Sequence, residues 1–142
     1  MKTIFIKLFL RASIAFGFLS AVADRLGFWS KEKSAWGSWD NFIEYTQVIN
    51  PWFPNTLINA IGTVTTGAEI ILAIFLLIGF KTSLSATISG FLLLIFSIAM
   101  TLSLSVKAPL DYSVFSAAAA AFGVSLLKEQ YLEIDILLNK KI

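Results

Sequence analysis

The stretch "LINAIGTVTTGAEIILAIFLLIGF", residues 57–80, decides the fold class. Apart from one acidic residue, Glu69, and a few small polar ones, it is apolar throughout. It exceeds the roughly 20 residues that an α-helix needs to cross the hydrocarbon core of a bilayer. A carboxylate near the middle of such a helix costs at least about 2.5 kcal/mol on insertion scales. It is retained only where it faces protein or water and has a partner. Glu69 therefore predicts both a membrane-spanning helix and a polar interior for that helix to face.

The rest of the chain agrees with that solvent. Of 142 residues, 57% are hydrophobic and 14% charged, against about 25% charged in soluble domains. The mean hydropathy is +0.80. One domain of this size has too little interior to hide so much apolar surface, so lipid must cover it. A formal charge of +2 and an isoelectric point near 9.0 are too mild to argue for nucleic acid as a partner. There is no cysteine and no histidine. Disulfides, thiol redox chemistry, iron–sulfur clusters, His-ligated haem and the usual zinc sites thus lack their ligands, and no metal site is expected.

Four apolar segments follow, residues 3–28, 56–80, 84–106 and 109–127. They predict an all-α, integral membrane four-helix bundle over residues 1–127, with a cytoplasmic amphipathic tail over 128–142. Gly79 and Lys81 mark the exit of the second segment, and Ala108-Pro109 ends the third. The first segment also reads as a signal peptide, with Ala21-Val22-Ala23 as cleavage site. Against this, its apolar stretch continues on both sides of Arg11. In the tail, Tyr131, Ile134 and Leu138 share a helical face, while Leu132, Ile134 and Ile136 fit period two equally well.

The one long loop, residues 29–55, holds all four tryptophans, Trp29, Trp36, Trp39 and Trp52, with Tyr45 and Phe53 beside them. Within it Trp39, Phe42, Ile43, Thr46 and Ile49 fall on one helical face. That pattern predicts a short interfacial amphipathic helix, ended by Asn50-Pro51. Such a loop serves as an aromatic belt at headgroup level, or as a lid over a substrate. Lys2, Lys7, Lys81, Lys128, Lys140 and Lys141 gather on the side of the termini, opposite Arg25, Lys31, Lys33 and Lys107. The bias predicts cytoplasmic termini and an outward aromatic loop.

Inside the membrane, Asn59, Gly62, Thr63, Thr66, Glu69 and Ala73 lie in one stripe about 120° wide at 100° per residue. The third segment presents Ser97 and Thr101 among its small residues, and the fourth a run of Ala, Ser and Gly. Each such stripe is first of all a packing surface. Arg11 lies about 12 Å and Glu69 about 16 Å from the cytoplasmic helix ends at about 1.5 Å per residue. An Arg11–Glu69 ion pair is expected on that basis. Such a pair fixes helix register, or it lines a cavity where Glu69 handles a proton or Arg11 holds an anionic or carbonyl group. At the opposite end Asp24, Arg25, Lys107 and Asp111 are expected to form a charged outer rim beneath the aromatic loop.

With these residues in view, the chain resembles the DoxX-like family of small four-helix bacterial membrane proteins. The likeness rests on "LFLRASIAFGFLSAVADRLGFW", then an aromatic-rich loop, then "GAEIILAIFLLIGFKTSLSA", and spans most of residues 5–127. By resemblance Arg11 and Glu69 are the family's polar core positions, Asp24 and Arg25 lie near its outer polar site, and the membrane is the bacterial cytoplasmic one. The resemblance implies a subunit of a membrane redox complex, quinone-linked or concerned with oxidative stress, with a quinone as the cofactor in question. Cysteine-dependent relatives exchange disulfides; this chain has no cysteine and cannot. A small-molecule carrier closed by the aromatic loop, and a purely structural membrane subunit, are the competing functions. The partners in play are the bilayer, further subunits or a second copy, and a lipophilic small molecule.

Overall fold

A computed structural model describes residues 2–139 of the chain. Lys140 and Lys141, counted above among the basic residues near the termini, lie outside the described residues. The described chain is entirely helical: α1 Lys2–Arg25, α2 Trp39–Ile49, α3 Asn55–Ile78, α4 Thr82–Ser103, α5 Lys107–Asp111, α6 Val114–Leu126 and α7 Asp135–Asn139. Three of these, α1, α3 and α4, are long and apolar enough to cross a membrane. Their outward faces carry Phe9, Val64 and Leu102, each at least 70% exposed. Apolar exposure on that scale marks lipid as the neighbour and the chain as a membrane protein.

The fourth apolar segment is not one helix. Pro109 sits in the short α5, and Ser113 takes a left-handed φ of 57° before α6 begins. That leaves α6 only 13 residues, about 20 Å of helix. Its buried face, Ala118, Ala121 and Val124, lies close against α4. The Phe91 and Phe122 rings meet edge-on at 5.2 Å, and a side chain at Gly90 would strike the Phe122 ring.

Helix α1 carries its charges on the face that packs. Lys7, Arg11, Ile14, Phe18, Val22 and Arg25 are all buried, at spacings of three or four. On α3 the buried positions are Ile58, Gly62, Thr66, Glu69, Leu72, Ala73 and Leu76. Ile14, Phe18, Leu72, Ala73 and Leu76 join Ala86, Ala121 and Val124 in the apolar core between the two ionic layers.

Helix α2 forms as the aromatic periodicity predicts. Ser38 caps its N-terminus by accepting from the Asn41 N–H, and Asn50 follows its last turn. Its buried residues Phe42, Thr46 and Ile49 face protein. The fit depends on Gly62, where a Cβ would stand 2.6 Å from Ile43 and 3.1 Å from Phe42.

The tail folds back onto the bundle. Residues 128–134 are irregular and α7 has 5 residues, so neither a long surface helix nor a strand is seen among the described residues. The Ile134 and Asp135 N–H groups donate to the carbonyls of Ile78 and Gly79 at the end of α3. The Asp135 carboxylate accepts from the N–H groups of Lys81 and Thr82 at 2.6 and 2.8 Å. One segment thus satisfies backbone groups at two helix ends that have no partners within their own helices.

Gly79 makes this return possible. It holds a left-handed φ of 69°, and a Cβ there would stand 2.5 Å from Glu133 Cα and 2.7 Å from the Arg11 guanidinium. Gly79→Ala should therefore cost about 2 kcal/mol or more from strain and collision together. Gly67→Ala, with open space around the glycine, should be neutral or stabilising by up to about 1 kcal/mol. Thermal unfolding of both variants in the same detergent checks the contrast.

Candidate functional site

Three cations on one packed helix face need three sources of negative charge or dipole. Arg25, at the end of α1, meets Glu69 of α3. Its NH1 donates to Glu69 Oε2 and, at 2.9 Å, to Thr66 Oγ1; its NH2 donates to Glu69 Oε1 at 3.1 Å. The pair is two-pronged, and both side chains are more than 95% buried. Two-pronged guanidinium–carboxylate contacts combine charge with fixed geometry. The Phe42 ring lies over the guanidinium at 4.1 Å and the Trp36 ring at 5.3 Å. Helix α2 and the turn before it therefore roof the pair with aromatic faces that attract a cation.

Asp24 holds that roof in place. Its carboxylate accepts from the backbone N–H groups of Ala35, Trp36 and Gly37 at 2.7, 3.3 and 2.9 Å. The turn into α2 is thereby tied to the last turn of α1. Trp36 then packs on Phe42 and Tyr45, and Trp39 on Phe42, with ring centroids 5.4 to 5.8 Å apart. Burial, and after it the Tyr112 phenol nearby, raises the Tyr45 phenol above its ordinary pKa. Trp52 is half exposed and takes no part.

Arg11 does not pair with Glu69. Its Nε donates to the Leu76 carbonyl at 2.9 Å and its NH2 to those of Leu77 and Leu132. Its NH1 meets the Tyr131 carbonyl and Glu133 Oε1, at 3.2 and 3.3 Å. Lys7 reaches the same Glu133 oxygen at 2.8 Å and the Glu129 carbonyl at 2.7 Å. The reason for the exchange of partners is directional. Side chains on a helix lean toward its N-terminus. In antiparallel helices Arg11 leans toward Lys2 while Glu69 leans toward Asn55, so the two diverge. Arg25 and Glu69 lean toward one another. Helix α1 also extends beyond the end of α3, so depths measured from helix ends are not depths on a common scale.

The remaining expected site residues separate. Thr66 joins the Arg25–Glu69 pair. Asn59 and Thr63 are exposed, because the first turns of α3 project past α1 and Thr63 lies at the stripe's edge; the Thr63 hydroxyl donates to the Asn59 carbonyl. Ser97 is buried and Thr101 half-buried, yet both hydroxyls donate back to their own helix, to Leu93 and Ser97. Lys107 and Asp111 pair only with each other, four residues apart on an exposed turn. The outer rim is thus not one site: Asp24 and Arg25 turn inward and Lys107 and Asp111 outward. Glu133, with Lys7 and Arg11, forms a second buried ionic cluster outside the predicted site residues.

Two open clefts, of about 330 and 320 Å³, border α2 rather than the ionic pair. Among the described residues no group of acidic side chains could hold a metal ion. Compared with protein-family models, curated proteins and solved structures, the chain matches none.

The Arg25–Glu69 contact predicts a strongly non-additive mutant series. Glu69→Gln alone should destabilise by about 3–5 kcal/mol, since it strands a buried cation, and Arg25→Met/Glu69→Leu by far less. An Arg11/Glu69 double-mutant cycle should show coupling below about 0.5 kcal/mol. Denaturation of the single and double variants in one detergent measures both.

Proposed function

We propose that this chain is a non-catalytic integral membrane subunit, a four-span bundle of the DoxX-like type that docks with a redox complex in the bacterial cytoplasmic membrane. The carrying observation is that its mid-helix carboxylate is paired within its own chain. Glu69 spends both oxygens on Arg25, within a core packed from α1, α3, α4 and α6. A group poised for proton transfer needs access to a proton donor or acceptor, and the pair is roofed by Phe42 and Trp36 instead. In this reading the segment from α5 to α6 is the fourth span, α2 lies along the outer interface, and both termini are cytoplasmic. The redox setting, and a quinone near the complex, come from the DoxX-like resemblance alone.

One observation favours a second reading, in which α2 covers a lipophilic ligand. Arg25 Nε is buried without an acceptor among the described residues, directly beneath the aromatic roof. Purification of the tagged chain in mild detergent separates the two. The subunit reading predicts one protein partner retained in fixed ratio, unaffected by Asp24→Asn, which loosens the roof. Recovery of the chain alone with a stoichiometric lipophile, lost in Asp24→Asn, would overturn it in favour of the ligand.

A further inference from the structure

At the end of the bundle where α1 begins, the tail is built inside out. Glu133 is buried against Lys7 and Arg11, and the Asp135 carboxylate is taken by the N-terminus of α4. Apolar residues point the other way: Leu132, Leu137 and Leu138 are 66, 64 and 46% exposed. Water would leave such a face unstable. Its depth gives it another neighbour. The tail contacts Ile78 and Gly79 at the end of α3, while α1 continues past Arg11 for nine residues to Lys2, about 13 Å further. The apolar face therefore lies level with the end of α3 and the start of α4, and not beyond the end of α1.

Charge at this end of the molecule is one-sided. The carboxylates of Glu133 and Asp135 are consumed by contacts inside the protein. Of the exposed ionised side chains there, Lys2, Lys81 and Lys128 are basic and Glu129 is acidic. None of the three lysines is in an ion pair among the described residues. They come from three separate elements, the start of α1, the α3–α4 turn and the end of α6.

We propose that this end of the molecule is a binding surface for acidic phospholipids. The Leu132–Leu138 segment lies in the plane of the interface, and Lys2, Lys81 and Lys128 hold the lipid phosphates. The proposal rests on the membrane reading above and not on the redox setting, so it stands or falls separately from any protein partner.

The test is native mass spectrometry of the full chain in detergent, titrated with phosphatidylglycerol or phosphatidylcholine. Phosphatidylglycerol should be retained with at least about fivefold preference, the effect of one lysine near an acidic surface. The preference should collapse at about 1 M salt, where charge interactions are screened within about 3 Å. The triple variant Lys2→Gln/Lys81→Gln/Lys128→Gln, with helicity confirmed by circular dichroism, should lose it as well. Equal retention of the two lipids, a preference indifferent to salt, or one unchanged in the folded triple variant would each overturn the proposal. The salt titration of the unmodified chain decides the matter should the variant fail to fold.

Discussion

The structure depends on neutralising three cations that α1 turns toward its neighbours. Lys7, Arg11 and Arg25 share the packed face of one helix, and a charge taken out of water without a partner costs several kcal/mol. Two different elements answer them. Glu69 of α3 answers Arg25, and Glu133 of the tail answers Lys7 and Arg11 together. Helix α1 is thereby fixed at both ends, with the apolar core between the two ionic layers. Attraction between apolar faces cannot supply this registration in lipid, because acyl chains compete equally well for them. Charge pairing and close packing can.

The same constraint explains the accessory parts. The tail returns to the bundle because buried Lys7 and Arg11 need its carboxylate and carbonyls, and Gly79 leaves it room. Helix α2 sits where it does because Asp24 holds the preceding turn and Gly62 admits Phe42 and Ile43. The roof over Arg25 and the plug under Arg11 are opposite ends of one arrangement. In both, a backbone or aromatic element completes the solvation of a guanidinium that lipid cannot solvate.

Much of this was legible in the sequence. The apolar runs gave α1, α3 and α4 to within a few residues, and the period of the aromatic loop gave α2 with its end at Asn50. Glu69 announced a buried partner. Depth and facing match it with Arg11, whereas the lean of side chains toward each helix's N-terminus separates Arg11 from Glu69 and joins Arg25 to it. The second cluster had a signal too. Lys7 and Arg11, one turn apart on the packed face, need a carboxylate beyond Glu69, and "YLEID" supplies Glu133. What periodicity could not give is that the tail turns its charges inward, since that depends on contacts with helix ends far away in the chain. Asn59 and Thr63 left the polar stripe for a similar reason: how far α3 projects past α1 is set by tertiary packing.

The account's central claim is open to a direct measurement, because the chain contains only two arginines. Solid-state NMR of the protein in bilayers, with nitrogen-15 in arginine and carbon-13 in the glutamate side-chain carboxyl groups, reads guanidinium–carboxylate proximity by dipolar coupling. The account predicts that each guanidinium has a close glutamate carboxyl carbon, and that Glu69→Gln removes the Arg25 coupling while leaving that of Arg11 intact. Loss of the Arg11 coupling in Glu69→Gln, or an Arg25 guanidinium with no carboxylate nearby in the unmodified protein, would contradict it.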